Sequence, residues 1–224
     1  MVMELASNGA LDSFLKKNEQ NLDKKNEMIL QAAWGLEYLH GVPVIHSDIA
    51  ARKYLYGDGR VKISDFGLTR KGDSYQADLK KKAPIRWLAL EVLHGGPYIS
   101  KNDIWVYAVM SWKSTTIESP YPGMMVAQVA AKVVEGYRMD LPQDLNPDIK
   151  TLIGKCWGEN VLERPSMAEI ASEFQRCTTI PRPDFAAIES QIKREMPSMN
   201  NMTSKSYKNK PKNGKGAPRL PKGM

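Results

Sequence analysis

Residues 46–53 carry the most informative pattern in the chain and read His46-Ser47-Asp48-Ile49-Ala50-Ala51-Arg52-Lys53. Two other strings follow it in order, Asp65-Phe66-Gly67 and then Lys82-Ala83-Pro84-Ile85-Arg86-Trp87-Leu88-Ala89-Leu90-Glu91. Asp-Phe-Gly alone is a tripeptide that chance supplies, and it fits an ordinary turn equally well. The three strings together, in this order, form a highly specific signature.

The segments around these strings are mainly helical in pattern. Residues 21–40 form a long amphipathic segment that ends at Gly41, and its expected buried positions are Ile29, Ala32, Ala33, Leu36, Tyr38 and Leu39. Residues 54–63 alternate around Gly57-Asp58-Gly59 and predict a β-hairpin. Further helices are expected at 11–17, 101–117, 124–135, 147–157 and 166–177. The sequence therefore predicts a mainly α fold with one hairpin.

The composition excludes several classes of protein. The chain has 224 residues, and its longest apolar stretch, 124–134, is interrupted by Gln128 and Lys132, so no run approaches the ~18 residues of a membrane span. The first eight residues lack the basic head of a secretory signal. Two cysteines, Cys156 and Cys177, are too few for a disulfide scaffold or a zinc ribbon and predict reduced core thiols. We therefore expect a soluble, cytoplasmic protein without a transmembrane segment.

The net charge of +7 comes from the end of the chain. Residues 205–224 contain seven Lys or Arg and no acid, whereas charges cancel in the rest of the sequence. We expect a short helical extension over 178–195 and a disordered basic tail over 196–224, because the tail has few large apolar side chains to bury. The tail is either a solubilising segment or a weak contact for anionic membranes or nucleic acid.

The three strings resemble the catalytic loop, the metal-binding turn and the activation-segment end of protein kinases. Ala50-Ala51-Arg52 and Pro84-Ile85-Arg86-Trp87 look like the tyrosine-specific branch, and the nearest resemblance is to cytoplasmic kinases of the Fes/Fer type. Later landmarks agree: Asn102-Asp103-Ile104-Trp105, Ser119-Pro120-Tyr121-Pro122-Gly123, Cys156-Trp157 and Glu163-Arg164-Pro165. The resemblance implies the large lobe of the α+β protein kinase fold over residues 9–177.

The resemblance implies roles for individual residues. Asp48 would orient the acceptor hydroxyl, Asp65 would hold Mg²⁺ against the phosphates of ATP, and Arg52 would stand near the acceptor tyrosine. Residues Pro84, Ile85, Arg86 and Trp87 would form the substrate platform. Structural roles fall to His46, Phe66, Glu91, Asp103 and Arg164. Asp103 would cap the catalytic loop, although it also fits an ordinary helix cap, and Glu91 and Arg164 would form a buried ion pair.

The start of the sequence looks like the last strand of a small lobe and the hinge. Residues 1–8 would be this remnant, with Met3 as gatekeeper and with Glu4, Ala6 and Leu55 on the adenine side of the cleft. The sequence contains no Gly-x-Gly-x-x-Gly loop and no Val-Ala-x-Lys strand. We therefore expect the small lobe to be absent and ATP and Mg²⁺ to bind this chain poorly.

Two positions in the catalytic loop depart from the kinase pattern. Lys53 replaces an Asn that ligates a metal ion, and an ammonium repels a cation; it could instead neutralise Asp48 or Asp65, or contact a phosphate. Ser47 replaces an Arg that pairs with a phosphorylated activation-loop residue. Tyr75 is the candidate phosphosite, or else an ordinary loop tyrosine, and activation through it should be weakly coupled.

Three hypotheses follow from these matches and departures. The first is a non-receptor tyrosine kinase that is inactive or impaired as this isolated chain. The second is a pseudokinase, a non-catalytic module that presents the large-lobe surface to a protein partner. The third is an incomplete chain of a longer active kinase that begins at an internal methionine. The enzyme acts on a tyrosine-containing protein, whereas the module folds alone and ignores nucleotide.

Overall fold

A computed structural model describes residues 5–76, 84–188 and 190 of the chain. Contacts divide the chain into two compact units, Met1–Pro181 and Arg182–Met224. In the second unit, residues 185–188 form a helical turn in which the Ile188 amide donates to the Asp184 carbonyl at 3.0 Å. The residues expected at the gatekeeper and hinge, Met3 and Glu4, lie outside the described residues, as does the predicted tail over 196–224.

The first unit is mainly helical, which confirms the predicted architecture. Its helices are α1 (Leu11–Lys17), α2 (Leu22–Gly41), α3 (Leu90–Leu93), α4 (Ser100–Thr116), α5 (Val126–Val134), α6 (Pro147–Cys156) and α7 (Met167–Thr178). Helix α4 is the centre of the core: it is buried along nearly its whole length, including Trp105, Tyr107 and Met110. Because this helix is surrounded on all sides, polar groups on it, such as Asp103, can reach several neighbouring loops.

Helix α2 begins where Asn21 supplies a cap, since its side chain accepts a hydrogen bond of 2.9 Å from the Lys24 amide. Its buried face includes Ile29, Ala32, Ala33 and Leu36, as the apolar spacing predicts. The prediction for Tyr38 is wrong, because this side chain is 72% exposed. Two residues along a helix turn the side chain about 200° away from Leu36, toward solvent.

The predicted hairpin is present. Strands β2 (Tyr54–Gly57) and β3 (Arg60–Ile63) pair antiparallel, with Tyr54 opposite Ile63. Asp58 and Gly59 form the turn with φ angles of 51° and 73°, the left-handed backbone that a two-residue hairpin turn requires. The hairpin therefore lies between the expected catalytic loop, residues 46–53, and Asp65-Phe66-Gly67, and it fixes the distance between them.

Within the described residues, four further strands of two residues each were not predicted. Strand β1 (Val44–Ile45) pairs with β4 (Arg70–Lys71), and β5 (Ser74–Tyr75) pairs with β6 (Tyr98–Ile99). Strands this short leave no alternating pattern in the sequence. They attach the segment after Asp65-Phe66-Gly67 to the start of the catalytic loop and to the start of α4.

The two cysteines differ in their surroundings. Both are free thiols; Cys156 is fully buried, whereas Cys177 lies at the edge of the core, with its Sγ 4.0 Å from an oxygen of Asp148. The expectation of two core thiols is therefore right only for Cys156. Among the described residues, none of the helices combines the length and the apolar character that crossing a bilayer requires.

Candidate functional site

The catalytic loop is held by the carboxylate of Asp103, near the start of α4. Its oxygens accept hydrogen bonds from the backbone amides of His46 at 2.8 Å and Ser47 at 3.0 Å. Asp103 has no solvent exposure, and Ser47 adopts a left-handed backbone with φ of 70°. The buried carboxylate therefore accepts two charge-assisted hydrogen bonds that stabilise a backbone conformation serine rarely adopts.

Asp48 lies just beyond this anchored turn and is ion-paired by two cations. Arg52 Nη2 lies 2.9 Å from Asp48 Oδ1, and Lys53 Nζ lies 3.0 Å from Asp48 Oδ2. A single 3₁₀ turn over Ala51–Lys53 places both cations on the carboxylate. Each oxygen of the expected catalytic base thus contacts a positive charge.

Lys53 also forms an ion pair with Asp65, the residue expected to hold Mg²⁺. Hydrogen bonds to Asp65 and Asp48 raise the pKa of Lys53, so the ammonium stays charged. The same bond from Lys53 lowers the pKa of Asp65, whose side chain is 53% exposed. We call Asp48, Lys53 and Asp65 the lysine clamp, because one ammonium joins the two carboxylates.

The donor set of the clamp does not fit a magnesium ion. Mg²⁺ needs oxygen ligands in a nearly octahedral arrangement, and Lys53 offers a positive charge where the kinase pattern has an amide oxygen. Among the described residues, no three His, Cys, Asp or Glu side chains are arranged to hold a metal. Asp65 therefore forms an ion pair with Lys53 at the position where the resemblance implies a metal ion.

The adenine side of the expected cleft is represented by Ala6 and Leu55, both partly exposed. Residues 6–10 run along β2: the Asn8 amide donates to the Tyr56 carbonyl at 3.0 Å, and the Tyr56 amide donates to the Gly9 carbonyl at 2.8 Å. Gly57 allows this approach, because a Cβ there would lie 2.8 Å from the Ser7 backbone nitrogen. The hinge segment is thus fixed against the hairpin that precedes Asp65.

The residues expected to support the metal-binding turn pack on each other. The Phe66 ring lies 5.6 Å from the ring of His46 and is 51% exposed. His46 is fully buried, and its Nε2 lies 3.2 Å from the Ser64 carbonyl. This contact joins the turn at Asp65 to the catalytic loop.

The residues of the expected substrate platform divide into two groups. Pro84 is exposed. The guanidinium carbon of Arg52 lies over Trp87, 5.8 Å from the centre of the indole ring. Arg86 instead points into the protein and donates to the carbonyls of Pro120 at 2.7 Å and Tyr121 at 2.9 Å. Arg86 therefore fastens the platform to the loop before α5, and Arg52 with Trp87 forms the face directed toward Asp48.

Glu91 and Arg164 form a two-pronged ion pair. Nη1 and Nη2 of Arg164 donate to Oε1 and Oε2 of Glu91, each at 2.7 Å. The Arg164 side chain has no solvent exposure, and its guanidinium stacks on Trp105, 5.0 Å from the ring centre. This pair joins α3, at the end of the platform string, to the segment that leads into α7.

Three residues of this network were missed by reasoning from the sequence. Tyr98 donates its hydroxyl to Asp103 at 3.0 Å, His40 Nε2 lies 3.3 Å from the same carboxylate, and the Asn102 side chain donates to Glu91. Only Asn102 carried a signal, because it directly precedes Asp103 in a recognised string. Tyr98 and His40 reach Asp103 through packing that no local pattern encodes.

Comparison with known proteins supports the resemblance to protein kinases. The family model described as protein tyrosine and serine/threonine kinase matches residues 1–174. Tyrosine-protein kinase Fer from Homo sapiens is 39% identical over 180 residues, which cover 78% of this chain and 22% of that protein. Fer-related kinase 1 from Caenorhabditis elegans is 39% identical over 179 residues, covering 78% of this chain and 46% of that protein.

A receptor kinase matches as well. Tyrosine-protein kinase receptor Tie-1 from Danio rerio is 36% identical over 146 residues, which cover 64% of this chain and 79% of that protein. The chain spans about a quarter or less of Fer and about half of Fer-related kinase 1. From the family model, the relatives and the order of the three strings, the chain belongs to the protein tyrosine and serine/threonine kinase family, in its tyrosine-kinase branch.

Proposed function

We propose that this chain is a tyrosine-kinase large lobe whose phosphoryl-transfer centre is severely impaired. The observation that carries the proposal is the lysine clamp, in which Lys53 contacts both Asp48 and Asp65. Phosphoryl transfer depends on positioning and on charge neutralisation by metal ions rather than on covalent chemistry. A carboxylate already bound to an ammonium is a poorer hydrogen-bond acceptor for a substrate hydroxyl and a poorer ligand for a metal.

The substrate side of the site supports binding of a protein partner. Arg52 and Trp87 form a cationic and aromatic face beside Asp48, and Arg86 fixes this face to the loop at Pro120 and Tyr121. Such a face suits a tyrosine-containing peptide, because the ring can pack on Trp87 while its hydroxyl approaches the carboxylate. The second candidate function is therefore a cytoplasmic pseudokinase module that binds a protein partner on this platform without turnover.

The described residues supply one side of the expected nucleotide site. Ala6 and Leu55 supply one wall for adenine, and the phosphates of ATP require further donors. Fer-type relatives are considerably longer than this chain. The third candidate is therefore a longer native protein in which a small lobe completes the nucleotide site and leaves the lysine clamp as the remaining obstacle.

Two measurements test these candidates. The intact mass of the protein from its native source separates a chain near 25.2 kDa from one larger by ~10 kDa, about the size of a small domain. Tyrosine phosphorylation of a peptide library by the native-length protein is then compared with that of its Lys53→Asn variant, with Asp48→Asn as the control for background.

We expect no phosphorylation above the Asp48→Asn background from the wild-type protein. If a small lobe is present, Lys53→Asn should raise the rate by roughly 10- to 100-fold, the usual scale for one electrostatic group in an active site. Wild-type turnover that depends on Asp48 and is not improved by Lys53→Asn would reject the impaired-kinase proposal. Peptide binding by the wild-type protein without turnover would favour the module.

A further inference from the structure

Tyr75 is part of the folded lobe. It lies on strand β5, opposite Tyr98 on β6, and the two rings stack with centres 5.3 Å apart and planes inclined by 22°. The ring is half-buried, and the guanidinium of Arg70 lies over it, 5.9 Å from the ring centre. The Gln76 side chain adds a bond of 3.1 Å to the Gly95 carbonyl. The segment is thus held by one strand pair, one aromatic stack and one side-chain bond.

The stack connects Tyr75 to the catalytic loop. The Tyr98 hydroxyl donates to Asp103 Oδ1 at 3.0 Å, and the Ser47 amide donates to the same oxygen, also at 3.0 Å. Tyr98 is 3% exposed and Asp103 is fully buried. A change in the position of the Tyr75 ring therefore acts directly on a group that orients the catalytic loop.

The surroundings of the Tyr75 hydroxyl suit a neutral phenol. Burial raises the pKa of Tyr75, and the neighbouring Ser47 hydroxyl offsets part of this rise. The Ser47 Oγ is buried and has no well-formed hydrogen bond within the described part of the chain. At this position the kinase pattern has an arginine, whereas serine is too short and carries no charge. Ser47 thus offers the Tyr75 hydroxyl a small, uncharged polar neighbour.

A phosphate at this place meets unfavourable electrostatics. It carries a charge of about −1.5 to −2 near neutral pH, and the buried carboxylate of Asp103 lies behind the stack. Among the residues that the structure describes, Arg70 is the cation in contact with the ring, but its Nη1 donates to the Thr69 carbonyl at 3.0 Å. Within that part of the chain, this one partly engaged guanidinium does not compensate for moving a dianion into a half-buried site.

We infer that unphosphorylated Tyr75 anchors the segment at β5 to the lobe, and that phosphorylation of Tyr75 releases this segment instead of ordering it. The modification requires a separate tyrosine kinase with ATP: the γ-phosphorus bonds to the Tyr75 oxygen, ADP leaves, and the phenolic proton passes to solvent. The inference goes beyond the proposed function and does not depend on turnover by this chain. It assigns Ser47 the role of selecting the neutral tyrosine.

Hydrogen exchange measured by mass spectrometry on the full chain tests the inference. The chain is treated with an added tyrosine kinase and ATP, and the occupancy of Tyr75 is read from the masses of its peptides. The Tyr75→Phe variant, treated identically, is the matched control, because it keeps the aromatic stack and reports phosphorylation at other tyrosines. Ser47→Arg is the second variant, because it restores a guanidinium beside position 75.

We expect phosphorylation to speed amide exchange at residues 74–76 by roughly tenfold in the wild-type chain, with the cores of α2 and α4 unchanged. Treated Tyr75→Phe should match the untreated chain within about twofold. In Ser47→Arg, phosphorylation should slow exchange at 74–76, since the phosphate gains a partner. Unchanged or slower exchange in the phosphorylated wild-type chain overturns the inference, and that measurement does not depend on either variant folding.

Discussion

The ammonium of Lys53 lies 3.0 Å from Oδ2 of Asp48 and also pairs with Asp65. In sequence, Lys53 is five positions after Asp48 and twelve before Asp65, and one 3₁₀ turn and one hairpin bring the three together. A single side chain therefore pairs with both carboxylates to which we assign separate roles, Asp48 as the expected catalytic base and Asp65 as the expected metal ligand. The consequences of this relationship can be measured.

Nucleotide binding by the wild-type protein should depend little on magnesium. We expect ATP affinity in Mg²⁺ and in a chelator to agree within about twofold, whereas Lys53→Asn should gain roughly tenfold from Mg²⁺, equivalent to about 1.4 kcal/mol. Lys53→Met is the control, because it removes the ammonium without supplying an oxygen ligand. Calorimetric titration of the native-length protein provides the measurement. Equal magnesium dependence in the wild-type protein and in Lys53→Asn would contradict the clamp.

Breaking the Glu91–Arg164 pair should strongly destabilise the lobe. Because Arg164 is fully buried, Glu91→Ala leaves its charge without a partner, and we expect a loss of about 3–5 kcal/mol in the free energy of unfolding. Glu135→Ala breaks the exposed pair between Lys132 and Glu135 and should leave the free energy of unfolding almost unchanged. Urea denaturation followed by tryptophan fluorescence compares the two, and similar losses would show that the buried pair has no special role.

Asp103→Asn should loosen the catalytic loop. An amide offers one acceptor oxygen and places an N–H group toward the donors from His46, Ser47 and Tyr98. We expect a loss of about 2–3 kcal/mol in stability, together with faster exchange of the His46 and Ser47 amides. Asp144 is exposed, so Asp144→Asn controls for the loss of one negative charge. Loop amides that stay protected in Asp103→Asn would refute the role of this carboxylate.

The two thiols should differ in reactivity. Burial raises the pKa of Cys156 to about 12, so its thiol stays protonated and inert in the folded chain. Cys177 is partly exposed, and a thiol reagent at about pH 8 should modify it alone until the chain is denatured. Cys177→Ser should then leave no reactive thiol in the folded protein, and rapid labelling of that variant would show that Cys156 is accessible.

Burial of Cys156 also makes the free energy of unfolding depend on pH. An unfolded cysteine ionises near pH ~8.5, whereas the folded thiol resists ionisation up to about 12. The stabilising contribution is therefore complete below the unfolded pKa and is lost as pH rises above it. Cys156→Ala should flatten the decline of stability between about pH 8.5 and 10, measured by urea titration. An identical decline in wild-type and variant chains would assign that pH dependence to other groups.

Much of the helical architecture could be predicted from local pattern. The spacing in α2 identified Ile29 and Leu36 as buried, and the Asp58-Gly59 turn identified the hairpin. Tyr38 was predicted to be buried, but the helical period places it about 200° from the buried Leu36, so the apolar character of its ring outweighed its position on the helix in that prediction. The four two-residue strands left no signal, since pairs such as Tyr75 with Tyr98 form between segments that are distant in sequence.

The residue identities alone establish which chemical groups are present: two aspartates, a lysine where the kinase pattern has a metal-binding amide, and a serine where it has an arginine. They leave open whether Lys53 neutralises Asp48, neutralises Asp65 or contacts phosphate. The contacts of Lys53 with both carboxylates and the stacking of Tyr75 on Tyr98 are known from the folded chain. The physical reason is that residue identity fixes charge and hydrogen-bonding capacity, whereas distances between charges depend on how separate segments pack.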